Sequence, residues 1–245
     1  MKAFLLLLTF LTGSVISLTT TVYAAECEFS GPIEELATIQ SKPTTREQVL
    51  RELTLRKTIL NELTSCLVKE TQDKEKSLKA TTLASPETKA YARWLENQFV
   101  ETVSFYEFKK TQINDLGIEG SKDLAKEMLD RRRTNDRILF ERTNLFITWN
   151  QNQELFTLGY KRLNDITATL EVFDLPPNHE LGKLLIDAKT ALEKANKLNL
   201  EAWESLKSSN QEGTLPLIKS SLETLAESYK VFFTISEESK KELPL

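Results

Sequence analysis

The sequence predicts an all-α protein, and three observations predict it. Apolar residues recur every three or four positions along most of the chain. All seven prolines (Pro32, Pro43, Pro86, Pro176, Pro177, Pro216 and Pro244) stand where such stretches begin or end. No run of alternating β-branched residues is bounded by Asn-Gly or Asp-Gly turns. The expected architecture is an elongated antiparallel helical bundle of about five long helices plus a short N-terminal one.

The chain opens with Met1-Lys2 and an apolar stretch from Ala3 to Leu18, the charged and hydrophobic regions of a secretory signal. Val22 and Ala24 supply the small residues of an A-x-A-like site, so residues 1–24 are expected to be a signal peptide cut before Ala25. The rival reading is an uncleaved anchor, because Ala3 to Ala25 is long enough to span a bilayer. An exported protein, periplasmic or extracellular, is expected. In that setting Cys27 and Cys66, the only two cysteines, are expected to form a disulfide. It would close a loop of about 40 residues, worth roughly 4 kcal/mol in loop entropy.

The first helix runs from about Pro32 to Gln40, with Glu34 and Glu35 near its positive end. The second begins after Pro43, where Thr44 with Glu47 and Thr45 with Gln48 both fit a capping box, and continues to about Ala80. Its seam is Val49, Leu53, Arg56, Leu60, Leu63 and Leu67, and the charged sequence beyond Lys69 predicts a solvated far end. The third starts with Ser85 as N-cap and Pro86 at its first position and stops near Gly117. Its many aromatics predict a helix covered on two sides. The fourth, 121–173, is the spine, with Ser121 as N-cap and a seam of Leu124, Met128, Arg131, Asn135, Ile138, Arg142, Leu145, Trp149, Asn152, Phe156, Gly159, Leu163, Ile166, Leu170 and Phe173. A straight helix of that length would reach roughly 80 Å, so an elongated bundle or a bend near Gly159 is expected. Asn178 can cap the fifth helix, and the sixth runs from about Leu215 to Glu238. Residues 25–175 are read as a disulfide-stapled bundle and 176–245 as a C-terminal hairpin, either separate or packed on the same bundle.

Composition limits the function classes. The net charge of −4 becomes −5 when the leader and its Lys2 are removed, which together with export argues against nucleic acid as partner. The single His179 leaves imidazole metal sites and most hydrolytic triads short of parts. The Glu-x-x-His pairs of di-iron bundles are missing, as are phosphate-binding glycine loops and the nucleophile elbow. No cofactor or metal is expected. Glu96, Glu101 and Glu107 are the carboxylates an enzyme reading would need, at spacing a solvated helix face also shows.

Trp94, Phe105, Tyr106, Trp149 and Phe156 could line an apolar pocket, but their helical spacing makes core their expected role. In the spine, Arg131, Asn135, Arg142 and Asn152 place polar groups in the seam, either to set register or to offer a wet face to a partner. The arginine run around residue 132 reads as a salt-bridged face. The sequence therefore points to a non-enzymatic exported protein acting through an unidentified protein partner, as scaffold, envelope part or holdase. The alternative is a membrane-anchored ligand-binding or sensory bundle; the membrane enters only if the N-terminus is retained, and a homo-oligomer stays open.

Overall fold

The computed structural model describes residues 30–40, 45–83, 85–173, 176, 179–208 and 212–242. The leader, Cys27, Thr44 and Asn178 lie outside the described residues. The protein is all-α. Its elements are α1 (Ser30–Gln40), α2 (Arg46–Lys79), α3 (Pro86–Gln112), a 3-10 turn (Ile113–Asp115), α4 (Ile118–Arg131), a π-helical turn (Arg132–Asp136), α5 (Arg137–Val172), α6 (Glu180–Lys207) and α7 (Thr214–Glu242). The π turn joins α4 to α5 without a break, so the described residues form six continuous helices, in the expected order. None of them is long and apolar enough to cross a membrane.

Local chemistry sets most of the ends. Thr45 caps α2: its side chain accepts from the Gln48 N–H at 3.3 Å, and Gln48 Oε1 accepts from the Thr45 N–H at 2.9 Å. Ser85 caps α3 in the same reciprocal way with Thr88, at 3.1 and 3.2 Å, with Pro86 in the first turn. Two caps differ from expectation. Ser121 does not start the spine; Gly117 precedes Ile118 as N-cap, and the buried Ser121 Oγ donates to the Gly117 carbonyl at 2.8 Å. At α6 the cap is His179, whose Nδ1 accepts from the Leu181 N–H at 3.3 Å.

The chain divides into two compact units, with the boundary between Thr143 and Asn144 inside α5. The spine's second half therefore groups with the hairpin and not with the helices before it, a division different from the expected one at Pro176-Pro177. Apolar burial explains this grouping: Phe156, Leu163 and Leu170 of α5 share one core with Leu181, Ala188, Leu192 and Ala195 of α6 and Leu225, Phe232 and Ile235 of α7.

In the N-terminal unit Leu60 and Leu67 of α2, Tyr106 of α3, Ile113, and Leu124 and Met128 of α4 form one buried apolar cluster. Two expectations fail there. The far end of α2 is not uniformly solvated, since Glu70, Thr71 and Leu78 are buried on its inner edge. Nor are the apolar side chains of α3 covered on two sides as expected: Leu95, Phe99 and Tyr106 are fully buried, but Val100 and Phe108 stand more than half exposed.

The spine's seam also differs, and the π turn is the reason. A π turn holds one residue more than the α turn it replaces, so the inward positions advance by one beyond it. Asp136, Leu139, Thr143 and Phe146 are buried where Asn135, Ile138, Arg142 and Leu145 were expected, and the two patterns meet again at Trp149. Ile138 is left 48 % exposed.

Gly159 lies within unbroken helix, and close approach is what it serves. A Cβ there would stand 3.1 Å from Leu192 Cδ1, 3.5 Å from Leu225 Cδ1 and 3.7 Å from Tyr229 Cε2. Gly159→Leu is expected to cost about 1–3 kcal/mol, net of its better helix propensity. The measurement is the urea midpoint followed by Trp fluorescence, and an unchanged midpoint would refute the close approach.

Candidate functional site

A buried polar cluster at the π turn is the most unusual chemistry of the N-terminal unit. Tyr106 sits on the inner face of α3, fully buried, and donates its hydroxyl proton to Asp136 Oδ2. The other oxygen of Asp136, Oδ1, lies 3.6 Å from Arg131 Nε, and neither of those two buried atoms makes a hydrogen bond. Leaving such an atom unmet costs roughly 1–3 kcal/mol. The Arg131 guanidinium instead rests over Phe105, with Cζ 4.1 Å from the ring centroid. Arg132 turns the other way and reaches Glu70 of α2, Nη2 lying 3.0 Å from Oε2 and 3.3 Å from Oε1. Glu70 thus brings a charge onto the inner edge of α2 because a cation meets it there.

Burial dominates the electrostatics of this cluster. It raises the Tyr106 hydroxyl far above its ordinary value, and the hydrogen bond to the Asp136 carboxylate adds to the effect. Burial also raises the Asp136 carboxyl, outweighing the downward pull of the Tyr106 hydrogen bond and of Arg131 and Arg132. Tyr and Asp so placed hold a proton between them inside the core. The arrangement works as a tie between α3 and the π turn.

The second constellation lies in the C-terminal unit. Trp149 of α5 stacks on Trp203 of α6 with centroids 4.4 Å apart and planes at 18°. Its Nε1–H donates to the Asn199 carbonyl at 3.1 Å. The Asn199 side chain pairs reciprocally with Gln153, Nδ2 to Oε1 at 3.0 Å and Nε2 to Oδ1 at 3.2 Å. Gln153 Nε2 also donates to the Trp149 carbonyl at 2.7 Å. Trp203, Asn199 and Gln153 escaped the sequence reading. The weak signal for them was an Asn four residues before a Trp on the face of α6.

The expected aromatics therefore separate. Tyr106, Trp149 and Phe156 are core, Phe105 is half-buried beneath Arg131, and Trp94 is 39 % exposed. Arg142 lies over Trp94 with Cζ 5.1 Å from the ring centroid, and Tyr91 is 5.5 Å from Trp94. Burial pushes the Tyr91 hydroxyl up to about 12, with Arg142 pulling down.

The polar seam residues separate as well. Arg131 and Arg142 are half-buried, Asn135 is exposed, and Asn152 is half-buried with its Nδ2 lacking a hydrogen-bond partner. Glu101 and Glu107 are exposed and Glu96 is half-buried. Cys66 is half-buried on α2.

Two open grooves accompany these clusters. One, of about 320 Å³, lies between α2 and α3 and is lined by Ser65, Val68, Glu107, Lys110 and Thr111. The other, of about 240 Å³, is lined by α5 and α7 residues that include Arg162, Asp165, Phe232 and Ser236. Neither is lined by Tyr106 or Asp136. Among the described residues no three His, Cys, Asp or Glu side chains converge to hold a metal ion. No protein-family model matches the chain, and neither a curated protein nor a solved structure shows significant similarity to it.

The raised carboxyl of Asp136 predicts a pH dependence. In the window opening upward from the free value of 3.8, the folded protein holds this proton more tightly than the unfolded chain. The group's contribution to stability is thus full below that window and declines as pH rises through it. Asp136→Asn keeps an acceptor for Tyr106 and removes the titration. The variant's Tm minus that of the wild type is expected to grow between about pH 4 and pH 7, and a constant difference would contradict the raised pKa.

Proposed function

We propose that this chain is an exported, non-enzymatic helical protein that acts by binding other proteins, in a scaffold, envelope-structural or holdase-like role. The observation that carries the reading is the α3–α5 face of the N-terminal unit. It combines Tyr91, a partly exposed Trp94, Arg142 lying over that indole, and a half-exposed Ile138 one turn before Arg142. Trp, Tyr and Arg around an apolar anchor are the composition of binding hot spots. The buried acid–base pair of this unit is used inside: Tyr106 and Asp136 face each other in the core. On this reading the leader is removed after Ala24 and Cys27 pairs with Cys66.

Cross-linking and pull-down from the native envelope, with the mature chain as bait, tests the interaction. Ile138→Glu and Arg142→Glu are expected to reduce capture of a partner at least tenfold, with helix content unchanged by circular dichroism. A partner set that survives both substitutions would remove this face from the reading. Mass analysis of the purified native protein tests the rest: an N-terminus at Ala25 and no free thiol are expected, and an intact Met1 would favour the anchored ligand-binding alternative.

A further inference from the structure

Three consecutive arginines stand where α4 meets the π turn, and only two of them have the tasks described above. Arg131 covers Phe105 and lies beside Asp136, Arg132 meets Glu70, and Arg133 is exposed. The same doubling appears earlier in α4. Met128 is fully buried while its successor Leu129 is 46 % exposed, and Leu124 is buried while its successor Ala125 packs half-buried on the same core.

The π turn makes this doubling meaningful. It holds one residue more than an α turn, so unwinding it passes that residue towards the start of α4. Each α4 residue is then replaced in position by its successor. Leu129 takes the place of Met128 and Ala125 that of Leu124. Arg132 comes over Phe105 beside Asp136, and Arg133 comes opposite Glu70. The two buried apolar positions of α4, those of Leu124 and Met128, stay apolar, and Asp136 and Glu70 each keep a cation, while Lys126 takes the half-buried place of Ala125 and the Glu127 contact to Lys109 is given up.

Two further observations bear on such a slip. The joint that must accept the extra residue, Leu116 and Gly117, lies outside any helix, and a Cβ on Gly117 would meet nothing within 4 Å. The resting register is incompletely satisfied, because Arg131 Nε and Asp136 Oδ1 are buried and make no hydrogen bond. What favours the resting register is Ser121, buried and bonded to the Gly117 carbonyl, whose place Lys122 would take.

We propose that α4 has two registers one residue apart, interconverted by absorbing the π turn into its N-terminal joint, with Arg131-Arg132-Arg133 keeping the ion pairs to Asp136 and Glu70 in both. The slipped register turns Met128 outward and Leu129 inward, so the surface of α4 changes while the two buried apolar positions are filled by Ala125 and Leu129. This device does not depend on the interaction reading.

Thiol labelling tests it. Met128→Cys places a thiol that is sealed in the resting register and uncovered in the slipped one; Leu60→Cys, on α2, is the control that the slip leaves buried. Maleimide labelling rates at the two introduced thiols are compared by peptide mapping. Adding Arg131→Gln, which removes a resting-register partner, is expected to raise the rate at position 128 relative to position 60 about tenfold. Adding Arg133→Gln, which removes a slipped-register partner, is expected to lower it severalfold. A ratio that stays within twofold in both backgrounds overturns the proposal, as does a parallel rise at both positions. Should Met128→Cys fail to fold, relaxation dispersion on the unaltered chain decides: one exchange process shared by the amides of 118–136 supports two registers, and flat profiles overturn them.

Discussion

Removing the Asp136 carboxylate from water is the constraint around which the N-terminal unit is arranged. A charge in a low-dielectric core must be met, and Tyr106 meets one oxygen with its hydroxyl. Reaching Tyr106 turns Asp136 inward, and an α-helix running on from Met128 would have pointed Asn135 there instead. The π turn supplies the extra residue that corrects the phase. Its neighbours follow: Arg131 is drawn to the carboxylate and onto Phe105, and Arg132 is freed to reach Glu70 of α2. One polar pair thus links the burial of an acid on α2, the phase of the helix and the choice of apolar residues lining the core.

The C-terminal unit solves the same problem with neutral groups. The Trp149 indole N–H needs an acceptor once its ring is stacked on Trp203, and the Asn199 carbonyl supplies it. The amide of Asn199 is then closed in a ring of hydrogen bonds with Gln153. Both of the named side chains are satisfied, in contrast to the open oxygen on Asp136. Ser228 Oγ donates to the Ala188 carbonyl at 2.9 Å, and Ala188, Ala195 and Gly159 give the space for α5, α6 and α7 to approach one another. Asn199, Gln153 and these small residues tie the helices of the unit together, although Asn152 Nδ2 on α5 has no hydrogen-bond partner. The half-satisfied pair at the π turn leaves room for a second arrangement.

That contrast bears on function. Groups capable of acid–base chemistry, Tyr106 and Asp136, are spent on each other out of reach of solvent. Among the side chains of α3 and α5 that solvent meets are Trp94, under the Arg142 guanidinium, and Ile138. Ile138 is exposed for the same reason Asp136 is buried, since both follow from the one-residue advance. The composition of this face is thereby tied to the interior of the unit.

The sequence alone determined the all-α class, six helices in order and the cap at Ser85, and narrowed the start of α2 to Thr44 or Thr45, because periodicity and capping are local: a helix face or an N-cap needs only residues within a turn or two. The spacing of Leu181, Ala188 and Leu192 on α6 and of Leu225 and Phe232 on α7 is local in the same sense, and all five are buried. Only the tertiary structure decided the phase of the spine, the buried role of Glu70, the pairing of Trp149 with Trp203 and Asn199, and the boundary at Asn144. Each of these depends on a partner some 30 or more residues away in the chain, Tyr106 for Asp136 and Asn199 for Trp149. Desolvation at such a contact outweighs the local preference for an uninterrupted α-helix, and no pattern of spacing records it.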